Sequence, residues 1–205
     1  MSLPVEFTTY NDNSSKTSLA GKILLGVTGS VALGLSVISA SFVSPAFRKF
    51  CLPYIPATRT QISNILQALE GRRGTLLDLG SGDGRIVLEA AKRNLVAHGV
   101  ELNIWLVLYS KLDALRKGLT NKTSFYRRDL WKFHVGKYDN IVIFGVEQMM
   151  GDLEVKFDSQ CKNGCNVVAC RFPLPNKRPT RIIGHGIDTV WIYEFNSPRR
   201  KSLDL

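Results

Sequence analysis

Three glycines and two carboxylates follow a short apolar run in Leu76-Leu-Asp-Leu-Gly-Ser-Gly-Asp-Gly-Arg85, the stretch of this chain best equipped for chemistry. Gly80, Gly82 and Gly84 let a backbone turn sharply after a strand and approach a ligand closely, and the Ile-Val-Leu-Glu-Ala-Ala-Lys that follows reads as a helix. Loops that cradle phosphate attract it with bare amides and a helix N-terminus, and Asp78 and Asp83 would oppose such an anion. The acids point to a ligand whose reactive end is cationic. Glu101, closing His98-Gly-Val-Glu-Leu102, stands where a second strand would deliver a carboxylate to ribose hydroxyls.

S-adenosylmethionine meets both demands, because it joins a nucleoside to a sulfonium and an ammonium. The rival is a dinucleotide, whose fingerprint is G-x-G-x-x-G, whereas the spacing here is G-x-G-x-G. Glu101 fits either ligand and does not separate them. A glycine-rich turn with solvated acids is the bland alternative, and the strand, loop, helix and distant acid together weigh against it.

The chain of 205 residues has room for one domain of ordinary size and an appendage. Cys51, Cys161, Cys165 and Cys170 lack paired spacing, so neither a zinc site nor a disulfide framework is expected, and no metal is assigned to the scattered His98, His134 and His185. The formal net charge is +10, all of it arising after residue 43, because Glu6 and Asp12 cancel Lys16 and Lys22. A surface of that sign attracts nucleic acid, anionic lipid or an acidic partner.

Ile23 to Val43 is an uncharged run between Lys22 and Arg48-Lys49. As a helix it measures about 31 Å, against a hydrocarbon thickness of about 30 Å, so a transmembrane helix over 23–43 is expected. Gly26, Ser30 and Gly34 fall on one side of it as a possible contact stripe. A cleaved secretory signal fits less well, since the run starts late and is long. The bias of Arg48, Lys49 and Arg59 places the following domain on the cytosolic or matrix side, and without an arginine before residue 48 a presequence of the usual Arg-rich type is not expected.

The remaining pattern alternates. A linker over 44–57 carries Pro45, Pro53 and Pro56, and Thr58 or Thr60 caps a helix with Ile62, Ile65, Leu66 and Leu69 at helical spacing. Strands are expected at Thr75–Gly80, His98–Leu102, Ser124–Leu130, Tyr138–Gly145 and Asn166–Phe172. Helices are expected at Gly84–Asn94, from Asn103 to Gly118 with Trp105, Leu108, Leu112 and Leu115 on one side, and at Gln148–Gln160. This is a doubly wound, Rossmann-like α/β order, and Arg181–Ile183 with Thr189–Phe195 closes it as an antiparallel hairpin. The domain is thus bounded at 58–195, between the N-terminal segments 1–22 and 23–43 and a basic tail over 196–205.

Through Asp78-x-Gly-Ser-Gly-Asp-Gly84, Glu101 and Arg128-Asp129, the sequence resembles the seven-β-strand S-adenosylmethionine-dependent methyltransferases. More narrowly, Asp129-Leu-Trp, Ile143-Phe-Gly-Val, Gln148-Met-Met, Ala169-Cys-Arg-Phe-Pro173 and Gly186-Ile-Asp-Thr-Val-Trp191 are similar to small membrane-anchored mitochondrial lysine methyltransferases. That family acts on the ATP synthase c subunit or the adenine nucleotide translocase. The resemblance implies a seven-stranded sheet, S-adenosylmethionine as cofactor and a protein lysine as substrate, with the c subunit favoured. It further implies an inner-membrane enzyme whose domain faces the matrix.

The cofactor site it implies comprises Asp78, Gly80, Ser81, Gly82, Asp83, Gly84, Glu101, Leu102 and Asp129, with Tyr54 and Thr58 closing over the methionine end. Within it Glu101 would hold the ribose hydroxyls and Asp129 the adenine amino group, although Asp129 also reads as a cap for the segment after it. No catalytic base is named by the sequence. Glu147 and Gln148, just past the fourth strand, are the candidates for contact with the substrate amine, and bulk water is the other acceptor of its proton. RNA methylation and a tethered cofactor-binding scaffold without turnover remain alternatives. The Asn/Asp-Pro-Pro-aromatic motif of adenine-N6 methyltransferases does not occur after the fourth strand, where Phe144-Gly-Val-Glu stands, and nucleic acid is not the expected partner.

Overall fold

The computed structural model describes residues 18–43 and 55–196, which form two compact units. The first is a single helix, α1 (Leu19–Val43), which contains the expected apolar run and starts ahead of it. Its stretch Leu19–Ala40 is long and apolar enough to cross a membrane, and none of it is buried. Thr28, Ser30 and Ser36 turn their hydroxyls back to carbonyls of the preceding turn, at 2.8 Å for Thr28 to Leu24 O and for Ser30 to Gly26 O. Polar side chains that satisfy themselves this way leave the helix outwardly apolar.

In the second unit, helix α2 (Arg59–Ala68) precedes a seven-stranded sheet. Strands β1 (Thr75–Leu79), β2 (Val96–Glu101), β3 (Thr123–Arg127), β4 (Asn140–Phe144) and β5 (Cys165–Cys170) are parallel. They are joined through α3 (Arg85–Lys92), α4 (Ile104–Arg116) and α5 (Glu147–Gln160). After β5 the chain adds β6 (Arg181–Ile183) and β7 (Val190–Phe195), and β7 lies antiparallel between β5 and β6. The order is β3-β2-β1-β4-β5-β7-β6, the expected sheet with its closing hairpin.

The central strands β1, β4 and β5 are buried along almost their whole length because helices cover both sheet faces. Successive residues of β1 alternate between two cores: Leu76 packs with Val87, Ala90 and Val142 on one face, Leu77 and Leu79 with Ile141, Met149 and Phe157 on the other. From β1 the chain winds outward to β2 and β3, then returns to place β4 on the opposite side of β1. The loops after β1 and β4 therefore part company at the carboxyl edge, the crevice where open α/β sheets bind ligands.

Two strands are shorter than their apolar patterns suggest. β3 is an edge strand whose last ladder pair is Glu101 with Arg127, so it ends before Asp129. β4 begins at Asn140 because Asp139 is occupied otherwise: its Oδ2 accepts from the amide and the hydroxyl of Thr75, both at 2.8 Å. Helix α4 also orients itself unexpectedly. It packs on β3 and β2 through Val107, Ser110 and Ala114, which leaves its larger apolar residues outward. Small residues allow the helix to approach the sheet closely, and that contact decides the side.

Gly99 is required by packing. A Cβ there would stand 2.5 Å from Ser81 Oγ and 2.8 Å from Phe125 Cδ1, directly under the glycine loop. Gly99→Ala should lower the unfolding free energy by about 1–3 kcal/mol, read as a shifted urea midpoint at unchanged slope.

Candidate active site

The glycine loop is built by strain that only glycine tolerates: Gly80, Gly82 and Gly84 have φ of 80°, 53° and 78°. It is pinned to the neighbouring strand, since the amides of Gly80 and Ser81 both donate to Val100 O, at 2.8 and 3.0 Å. Ser110 Oγ of α4 closes the loop from outside with a hydrogen bond to Gly82 O at 3.3 Å.

Glu101 completes the frame. Its Oε2 accepts from the Gly82 amide at 3.0 Å, and its Oε1 accepts from Leu102 and Asn103 at 2.7 and 2.8 Å. One carboxylate thus joins the loop after β1, the end of β2 and the approach to α4, where Asn103 Oδ1 caps the helix by accepting from Trp105 N at 2.9 Å. Three fixed donors hold the carboxylate in one orientation; Oε1 has both lone pairs engaged, and Oε2 keeps one for a further donor such as a ribose hydroxyl.

Asp78 lies at the centre of this frame. It is 1% exposed, and neither of its oxygens meets a donor among the described residues; the nearby Ser81 Oγ is likewise buried and unsatisfied. Burial, with Glu101 and Asp83 adding their negative charge, pushes its carboxyl up from 3.8 to about 8. An unsatisfied buried acid of this kind costs stability and calls for a cationic or donor-bearing partner. The ammonium and sulfonium of S-adenosylmethionine supply that chemistry, so the residues present fit the cofactor.

Asp83 has another task. Both its oxygens accept from the Arg85 guanidinium, and Arg85 Nη1 also donates to Ala57 O at 2.8 Å. The pair fastens the segment before α2 to the glycine loop. Thr58 serves as N-cap of α2, accepting from Gln61 N at 3.0 Å and donating to Asp188 Oδ1 at 2.6 Å. Gln61 and Asn64 add bonds to the carbonyls of Ile187 and Asp188, at 3.0 and 2.9 Å. Thr58 is therefore a strut between the start of the domain and the 3-10 turn Gly186–Asp188; Tyr54 lies outside the described residues.

Asp129 turns the chain beyond β3, its Oδ1 accepting from Trp131 N at 3.0 Å, so its capping role is present in the structure. Leu102 follows Glu101 and is half-buried. Glu147 and Gln148 are exposed at the start of α5, directly after β4 and on the far side of the crevice from the glycine loop. Sequence reasoning missed three contributors: Arg85, Ser110 and Arg171. Arg171, just past β5, has φ of 72° and a buried Nε that meets no acceptor among the described residues. Only its position just past a central strand could have marked it.

Comparison with known proteins accounts for this arrangement. Residues 78–181 match the family described as the ANTKMT methyltransferase domain, and residues 14–48 match the N-terminal domain of the ATP synthase c subunit lysine N-methyltransferases. The chain belongs to this methyltransferase family. It is 49% identical to the ATP synthase c subunit lysine N-methyltransferase of Xenopus laevis, over 89% of this chain and 80% of that protein. It is 40% identical to the adenine nucleotide translocase lysine N-methyltransferase of Mus musculus, over 80% and 74%. Among solved structures, an RNA methyltransferase from Salinibacter ruber with S-adenosylhomocysteine bound superposes with a TM-score of 0.66 at 25% identity, covering 74% of this chain and all of that one.

As a lysine methyltransferase the protein uses S-adenosylmethionine, which supplies a methyl group already activated by the sulfonium. What remains for the chain is alignment, exclusion of water and removal of a proton from the lysine. Asp78, Ser81 and Glu101 would hold the cofactor, the first by charge and the last by its ordered oxygens. An amine with an ordinary pKa of about 10.4 must first lose a proton, to bulk water or to a side chain beside the crevice.

Asp78 gives a signed pH dependence. In the free protein it stays protonated up to about 8, and a cation beside it favours the ionised form, so binding releases a proton. Affinity for S-adenosylmethionine should rise with pH to about 8 and level off above. The free protein should lose stability over the same climb, since the unfolded chain gives up this proton from 3.8 upward while the folded one retains it. Calorimetry in buffers of different ionisation heat should detect the proton with wild type and not with Asp78→Asn.

Proposed function

We propose that this protein is an inner-membrane enzyme of mitochondria, anchored by α1 with its domain in the matrix, that methylates a lysine of the ATP synthase c subunit. The observation that carries this reading is the match of residues 14–48, which include all of α1, to the N-terminal domain named for the ATP synthase c subunit lysine N-methyltransferases. The whole-chain similarity agrees: 46–49% to vertebrate enzymes of that name, against 40% to the translocase enzyme. Arg48, Lys49 and Arg59 follow the apolar helix and favour retention of the domain on the matrix side. Tethering suits the substrate, because a lysine in a short loop of a membrane protein lies close to the bilayer surface.

Incubation with labelled cofactor and mitochondrial membranes from cells lacking the protein should label one small proteolipid, and mass spectrometry should assign the methyl groups to a c-subunit lysine. Asp78→Ala should reduce the label by about 100-fold or more. Label on the adenine nucleotide translocase would move the assignment to the sister activity. Label on RNA, the substrate class named for the Salinibacter ruber protein, would overturn it.

A further inference from the structure

Helix α4 carries a large apolar surface that the domain does not use. Leu108, Tyr109, Leu112 and Leu115 are 49%, 51%, 46% and 65% exposed, and Trp105 heads the same stripe at 37%. Their spacing of three and four residues sets them on one side of the helix, opposite Val107, Ser110 and Ala114. Contiguous exposed apolar groups on a folded domain mark an interaction surface.

Charge around the stripe indicates what it meets. Lys111 borders it on one side, Arg116 and Lys117 stand at its C-terminal end, and exposed Arg127 ends β3, the strand α4 packs on, with exposed Arg128 after it. The single acid of the helix, Asp113, is paired with Lys117 at 2.7 Å. Leucines with Trp and Tyr, bordered by cations and with that acid neutralised, form the face of a helix that lies in a membrane interface. An apolar protein partner would need no cationic border, whereas anionic headgroups do.

We propose that α4 is a second membrane contact: its Leu108–Leu112–Leu115 stripe beds into the surface of an anionic bilayer, with Lys111, Arg116 and Arg127 on headgroup phosphates. The inference rests on the reading of a membrane-anchored enzyme and deepens it. Because α4 begins three residues after Glu101, docking brings the carboxyl edge of the sheet, and with it the crevice, down to the bilayer. The anchor limits how far the domain strays, and the stripe decides which side faces the membrane.

All three tryptophans, Trp105, Trp131 and Trp191, lie outside α1, so their fluorescence reports on the domain alone. The full-length protein is reconstituted into phosphatidylcholine vesicles with or without phosphatidylglycerol, using lipids brominated near the headgroup as quenchers. Quenching is expected in the anionic vesicles, largely lost in Trp105→Phe, and lost in Leu108→Glu/Leu112→Glu, whose thermal transition should be unchanged because both side chains are exposed. Lys111→Glu/Arg116→Glu should remove the gain that phosphatidylglycerol brings while leaving the apolar face intact. Absence of quenching in wild type, or equal quenching in Trp105→Phe or in the double-glutamate variant of the stripe, overturns the proposal. A detergent-soluble dimer that Leu108→Glu/Leu112→Glu dissociates overturns it too, by assigning the stripe to a second copy. Retention of the chain through an alkaline carbonate wash tests α1 separately: retention without quenching removes the docking face alone, and quenching without retention supports the docking face and removes the anchor.

Discussion

The burial of Asp78, with no donor to it among the described residues, is the constraint around which this domain is organised. A carboxyl in that position is unfavourable on its own, and the fold tolerates it by keeping it neutral up to about 8. Strand β1 must be covered on both faces to seal it, the loop after β1 must be glycine to pass over it, and Glu101 must be immobilised so that two acids remain close without rearranging. The arrangement gives up stability in the free protein and gains selectivity for a cation, a common exchange at binding sites.

Around that centre, polar contacts far apart in sequence converge on the carboxyl edge. Arg85 ties Ala57 to the glycine loop, and Thr58, Gln61 and Asn64 tie α2 to the turn before β7. The segment ahead of the first strand is thereby held by both ends of the domain. Such cross-bracing gives this edge of the domain a defined rim. The sheet is shared with an RNA methyltransferase at a TM-score of 0.66, and a shared sheet does not by itself set the substrate class.

The cationic ligand and the sheet order were legible in the sequence, because each follows from local chemistry. Gly80, Gly82 and Gly84 announce positive φ, and apolar runs separated by helical spacing announce a parallel sheet covered on both faces. The closing hairpin was legible for the same reason. The match of residues 78–181 to a methyltransferase family agrees with the motif that carried the resemblance.

Partner choice was not legible. Residue type did not announce that Arg85 pairs with Asp83, or that Thr58 braces Asp188 across most of the chain. The apolar residues of α4 look like a core stripe by period alone, yet the helix packs through Val107, Ser110 and Ala114 and turns them outward. Residue type and spacing by themselves determined which groups carry charge, which positions need glycine and which stretches form strands and helices, because these depend on neighbours within a few residues. Which acid is buried and which is paired, and which side of a helix meets the sheet, only the tertiary structure decided, because those outcomes depend on groups brought together across long loops.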